Sequence, residues 1–199
     1  HETEPSIAIT VTATSADGST STQGFTLNVE NIFDVAPTDI AFTSGTSIDA
    51  SGRLMLNQGT DTGDVASVVG FDDFPSTALT IEMNVNATYG DAWEVPLFSY
   101  GVPSQADEVS VIARNDGTFD IQIGSNTLYT TASPVQMIDG TDHHFSMTWD
   151  SASGALAVYI DGNQVLTGSL SQGYSIISGG TLVLGQEQDS FGGGFSTHQ

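Results

Sequence analysis

Apolar and polar residues alternate with a period of two along most of the chain. Leu79, Ile81, Met83 and Val85 fall on one side of a run, and Thr80, Glu82, Asn84 and Asn86 on the other. Phe145, Met147 and Trp149 alternate in the same way with Ser146, Thr148 and Asp150, and Phe119, Ile121 and Ile123 with Asp120 and Gln122. Successive side chains of a strand point to opposite faces, so each run predicts a strand with one buried and one wetter face. Asp116-Gly117, Asp139-Gly140, Ser153-Gly154 and Asp161-Gly162 supply turn chemistry between such runs. No long segment repeats with a helical period. Many short strands divided by Asp and Gly turns predict an all-β fold, an antiparallel β-sandwich.

The pattern also predicts a division into residues 1–40 and residues 41–199. The first part holds two strand-like runs, Ile7 to Thr14 and Phe25 to Val29, joined through Asp17-Gly18. Two strands cannot bury a core. They read as the end of a domain whose other strands lie elsewhere, or as strands lent to the next domain. Pro37 marks a linker, and the polar stretch from Ser44 to Gly63 leads into the second part.

Charge narrows the partners. The 199 residues include two arginines, no lysine and 24 Asp plus Glu, for a net charge of −22. Such a surface repels nucleic-acid phosphates and anionic lipid headgroups, and no apolar run approaches the roughly 20 residues that span a bilayer. Neither nucleic acid nor membrane insertion is expected. The surface attracts cations instead, and Ca2+ is the one that carboxylate and carbonyl oxygens suit best. The same carboxylates also serve solubility in salty surroundings. With no cysteine, disulfides, thiolate zinc sites and cysteine catalysis are excluded. The chain opens on His1, and it reads as a segment of a longer protein.

From Ile9 to Ile40 the sequence ITVTATSADGSTSTQGFTLNVENIFDVAPTDI resembles the C-terminal hairpin of a bacterial cadherin-like repeat. That family often carries Asp-x-Asn-Asp-x-x-Pro before its linker proline, where calcium binds between repeats. Asn31, Phe33, Asp34 and Pro37 stand at the matching positions, so the acidic pattern is partly kept, and Asp17 stands at one member of a ligating pair whose partner position is Ser15.

From Asp142 the chain reads DHHFSMTWDSASGALAVYIDGNQVLTGSLSQGYSIISGGTLVLGQEQDSFGGGF, which resembles the pentraxin signature region of the laminin-G-like, concanavalin A-like jelly-rolls. The family's His-x-Cys-x-Ser/Thr-Trp pattern is matched by His144, Ser146, Thr148 and Trp149, with Ser146 in place of the cysteine. The run LGQEQDSFGG from Leu184 is its most specific part, and a looser likeness reaches back to about Val65. The resemblance implies a jelly-roll, a calcium cofactor and a ligand docked on the metal. It implies that Glu187 and Asp189 bridge two ions, that Gln188 gives its backbone carbonyl, and that Gln199 adds a side-chain ligand to the second ion. A remote pair completes the first ion. Asp107 matches one member and Ala106 replaces the other; alternatively, a one-residue shift makes Asp107 and Glu108 the pair. Ser196 stands where the family has an acidic ligand. Ser110 and Ile112 match the apolar pocket beside the metal, and Ser110 departs from it, so glycan or another anionic polymer is expected rather than phosphocholine. The family's disulfide positions are Glu82 and Ser146, and losing that cross-link removes about 2–4 kcal/mol. Because the chain stops at Gln199 inside the calcium loop, the jelly-roll is expected to be truncated at its C-terminus. Unpaired edges then invite self-association or strands supplied by another segment.

Other residues that invite a functional reading have plainer roles. His143 and His144 are adjacent in a strand and face opposite ways, so they cannot chelate one ion together. Trp149 and Tyr159 read as core residues of one hairpin, and Trp93 as either a sugar platform or a lid over the core. The same architecture hosts glycoside hydrolases, which need two carboxylates across a cleft, but Gly117 interrupts the nearest candidate run, Asp116 to Asp120. The expected function is a calcium-dependent recognition module for glycan or anionic ligands, in adhesion and without catalysis. The alternatives are a calcium-stiffened spacer and a glycan-active enzyme.

Overall fold

A computed structural model describes residues 6–14, 18–28, 40–43, 45–56, 64–88, 93–129 and 136–195. The chain forms two compact units, His1–Pro37 and Thr38–Gln199. In the first, strands β1 (Ser6–Thr14) and β2 (Thr20–Asn28) make an antiparallel hairpin in unbroken register from Ser6 opposite Asn28 to Thr14 opposite Thr20. Asp17, Asn31, Phe33, Asp34 and Pro37, on which the cadherin-like expectation rests, lie outside the described residues, as do Ser196 and Gln199.

The second unit opens with three short strands, β3 (Ala41–Phe42), β4 (Thr46–Ile48) and β5 (Leu54–Leu56), the last two forming a small hairpin. Then come β6 (Ala66–Phe71), β7 (Ala78–Val85), β8 (Glu94–Val102), β9 (Gln105–Arg114), β10 (Phe119–Ile123), β11 (Asn126–Tyr129), β12 (His143–Asp150), β13 (Ala155–Ile160), β14 (Asn163–Ser169) and β15 (Gly180–Leu184). Two antiparallel sheets result: a seven-stranded one in the order β11-β10-β9-β8-β15-β6-β3 and a four-stranded one in the order β14-β13-β12-β7. Among the described residues every strand pair is antiparallel and no helix occurs. The fold is the all-β sandwich that the alternation predicts.

The alternating runs explain the core directly. Leu79, Ile81, Phe145, Met147, Trp149, Leu156, Val158 and Ile160 are buried from the four-stranded sheet. Phe98, Tyr100, Val109, Val111, Phe119, Ile121, Ile123 and Val183 are buried from the seven-stranded one, and the rings of Phe119 and Phe145 approach to 5.9 Å. Burying each such side chain stabilises the fold by about 1.5–3 kcal/mol. The Trp149 indole N–H donates to the Leu170 carbonyl at 2.8 Å, so the ring enters the core with its polar atom satisfied. Tyr159 departs from expectation. It pairs with Ser146, three residues and hence one face away from Trp149, and its half-buried ring lies within reach of Gln164 rather than in the core.

The turns obey the backbone requirement of their glycines, with φ of 83° at Gly117, 85° at Gly140, 71° at Gly154 and 77° at Gly162. Ser146 and Glu82, the two positions of the family's disulfide, are direct partners across β12 and β7. Among the described residues no helix is long and apolar enough to cross a membrane.

Candidate metal centre

The site grows from two places far apart in sequence. Strand β9 brings Asp107 near its start, and β15 ends in the loop that carries Glu187, Gln188 and Asp189. That loop is closed by reciprocal hydrogen bonds between Ser190 and Gly193, at 3.1 and 2.9 Å, which make Phe191-Gly192 a tight turn. Gly194 follows at φ 69°, and a Cβ there would lie 2.7 Å from the Ser190 hydroxyl and 2.9 Å from its amide nitrogen. Only glycine lets the chain pass so close behind Ser190.

Gln188 holds the loop to the sheet. Its side chain is completely buried. Its Nε2 donates to the Ser99 carbonyl and hydroxyl, both at 3.2 Å, and to the Thr181 carbonyl at 3.0 Å, while its Oε1 accepts the Gly192 amide at 2.9 Å. Its own amide donates to the Ser99 hydroxyl at 3.2 Å. A buried amide with these partners acts as a staple, and it anchors the loop between half-buried Glu187 and exposed Asp189. As a ligand, Gln188 has only its backbone carbonyl to offer.

Asp107 and Glu187 meet. Their carboxyl groups face each other closely enough for one to hold the other's proton, and both are half-buried. Burial, then the hydrogen bond and charge of Asp107, then the charges of Asp189 and Glu94 push the Glu187 carboxyl up to about 8. Burial also raises Asp107, against the lowering effect of its bond to Glu187. Asp107 Oδ1 is buried and has no hydrogen-bond partner. A half-buried pair of acids in which one oxygen is orphaned is poorly satisfied by protein alone. This donor set, all hard oxygen, suits calcium. Among the described residues no three His, Asp or Glu side chains converge on one point, so an ion here would draw on backbone carbonyls and on water as well.

Glu108 corrects the alternative pairing. It is completely buried, and its carboxylate accepts the Tyr174 hydroxyl at 2.9 and 3.0 Å and the Ile177 amide at 2.7 Å. Asp107 meets Glu187 while its neighbour is engaged by a different segment, so the two do not act as one ligating pair. Tyr174, through burial and its bond to Glu108, is pushed up to about 12.

The pocket residues fare unevenly. Ser110 is only 5% exposed, between Ser99 and Gln122 in the register, so a docked ligand would not reach it. Ile112 is partly exposed beside Asp120 and Pro96. Trp93 is exposed, with the Arg114 guanidinium 4.6 Å over its ring and Arg114 itself paired with Asp120; it is no lid over the core. The other arginine, Arg53, pairs with Asp142 at 2.6 Å. His143 binds Asp161 at 2.8 Å while His144 is exposed, so the histidines share no ion. Sequence reasoning missed the staple of Gln188 and the buried role of Glu108, since neither polar type signals burial by itself.

The sequence profile of the Pentaxin family matches residues 64–199. C-reactive protein of Sus scrofa is 33% identical over 125 residues, 63% of this chain and 54% of that protein. Neuronal pentraxin-2 of Cavia porcellus is 37% identical over 103 residues, 51% of this chain and 23% of that one. The chain thus spans about half the length of the C-reactive proteins it matches. Among solved structures, a native heptameric SAP-like pentraxin from Limulus polyphemus superposes with a TM-score of 0.52 at 26% identity, covering 71% of this chain and 72% of that one.

Proposed function

The chain belongs to the Pentaxin family over residues 64–199, and from that premise we propose that it is a calcium-dependent recognition module without catalytic activity, part of a secreted or surface-displayed protein. Asp107, Glu187, Asp189 and the Gln188 backbone carbonyl would hold Ca2+, and Gln199, outside the described residues, would add a side-chain ligand. Bound there, the ion supplies open coordination positions to phosphate, carboxylate or sugar hydroxyl oxygens.

The observation that carries this reading is the orphaned, buried Oδ1 of Asp107 beside a Glu187 carboxyl held up to about 8. A divalent cation satisfies both groups at once. The charge balance adds support. Both arginines are already paired with aspartates, so an anionic ligand meeting a surface of net charge −22 needs a metal to bind to. Glycan or another anionic or polyhydroxylated polymer is the proposed ligand class.

A glycan array probed in calcium and again in EDTA tests the reading. Retention of a subset of glycans in calcium and its loss in EDTA are expected. Retention that EDTA leaves unchanged would refute metal-dependent recognition. Calcium that raises the melting temperature without any glycan retained would favour a stiffened spacer.

A further inference from the structure

Glu108 is a carboxylate removed from water at the centre of the fold, beyond the metal site but next to it in sequence. Such a group is tolerated only where the donors it gains make up for its lost hydration. Its donors both belong to the segment that crosses between the sheets after β14. The Tyr174 hydroxyl reaches both carboxylate oxygens and the Ile177 amide reaches one. The same segment is fastened elsewhere. The Tyr174 amide donates to Ser171 at 3.0 Å, the Ser171 hydroxyl donates to the Ile123 carbonyl at 2.7 Å, and the Ile176 amide donates to Ser76 at 2.9 Å. The Tyr100 hydroxyl, on β8, donates to the Ile177 carbonyl at 3.0 Å and accepts the Gly180 amide at 2.9 Å.

The Tyr174 ring lies over Gly124, where a Cβ would come within 2.7 Å of it and where φ is 62°. The Gly124 amide in turn donates to the backbone carbonyl of Glu108 at 2.7 Å. Glu108, Gly124 and Tyr174 therefore form one packed unit joining β9, the end of β10 and the crossing segment. That segment runs directly into β15 at Gly180, and β15 delivers the loop bearing Glu187 and Asp189. On the other side, Glu108 follows Asp107 immediately in β9.

We infer that Glu108 and Tyr174 are positioning residues for the metal site: their hydrogen bond fixes β9 to the segment that feeds β15, and so sets how Asp107 meets Glu187. This rests on the calcium reading above. A residue on a segment that carries no proposed ligand, Tyr174, then controls calcium affinity.

The test is a titration with Ca2+ alone of the unaltered chain, Glu108→Gln, Glu108→Ala and Tyr174→Phe, at a temperature where circular dichroism shows each folded. Glutamine can accept from Ile177 and exchange a hydrogen bond with Tyr174, so Glu108→Gln should bind within about twofold of the unaltered chain, whereas Glu108→Ala and Tyr174→Phe should bind about tenfold or more weakly, the usual cost of disturbing the groups that orient metal ligands. If Glu108→Gln fell as far as Glu108→Ala, the charge itself would be needed and the positioning role would be overturned. If Tyr174→Phe melted lower without losing affinity, the bond would serve stability alone, and the inference would also be overturned. Should Glu108→Ala not fold, Tyr174→Phe decides. An unaltered chain that is folded and binds no calcium would instead refute the underlying reading, before any substitution is made.

Discussion

Replacing Asp107 with asparagine keeps the shape of the side chain and removes the charge that faces Glu187. In the metal-free protein, burial and then the hydrogen bond and charge of Asp107 hold the Glu187 carboxyl at about 8, against an ordinary 4.5. The sign follows from linkage. A folded pKa above the unfolded one gives a contribution that is full below about 4.5 and is lost as pH rises through about 8. Each unit corresponds to about 1.4 kcal/mol. Burial takes the largest share and the group is half exposed to screening, so the part owed to Asp107 comes to about 1–2 kcal/mol. Asp107→Asn should therefore stabilise the metal-free protein by that amount at about pH 8 and give no gain near pH 6, where Glu187 keeps its proton and donates it to the Asp107 carboxylate. With calcium present the same substitution exchanges a charged ligand for a neutral amide oxygen, so calcium should stabilise the variant less than it stabilises the unaltered chain. Urea unfolding in EDTA and in calcium, at both pH values, reads all four quantities. An asparagine variant no more stable than the unaltered chain in EDTA at about pH 8 would refute the claim that the two carboxyl groups confront each other.

Other outcomes follow from the same geometry. The unaltered protein in EDTA should lose melting temperature between about pH 5 and pH 8 as Glu187 ionises, and saturating calcium should flatten that fall by displacing the proton; equal slopes with and without calcium would count against it. Because Glu82 and Ser146 are direct cross-strand partners, Glu82→Cys with Ser146→Cys should oxidise spontaneously and raise stability by about 2–4 kcal/mol. Mass spectrometry of the intact variant checks the bond, and persistent free thiols would contradict the register. Gly194→Ala forces a Cβ toward Ser190 at positive φ, which should cost about 1–2 kcal/mol within the loop. Calcium affinity should drop while the core's unfolding transition hardly moves, and unchanged affinity would show that the loop's shape does not matter to binding.

The sandwich was legible because its core strands alternate without interruption. Leu79, Ile81, Phe145, Met147 and Trp149 are buried where period two puts them, and the four Asp-Gly or Ser-Gly turns are turns at positive φ. Where alternation breaks, the reading failed. β8 and β9 shift register between Pro96 and Phe98 and again between Tyr100 and Val102. A bulge reassigns faces, so whether Asp107 is paired with Ala106 or with Glu108 beside the acidic loop cannot be decided by counting along the strand. The crossing segment with Tyr174 has no periodicity, and its hold on Glu108 comes from a hydrogen bond between residues distant in sequence. Gln188 stands in a row of oxygen-bearing side chains and is expected to offer the ion only its backbone carbonyl. Its burial against Ser99 is a tertiary fact that residue type does not announce.

The most direct test of the account is a calorimetric titration of the chain with Ca2+ near neutral pH, alongside Glu187→Ala and Asp189→Ala. Saturable binding that either substitution abolishes, with all three proteins folded, is the predicted result. A folded, unaltered chain that gives no binding heat and no calcium-dependent rise in melting temperature would contradict the account and leave the acidic loop without a metal to hold.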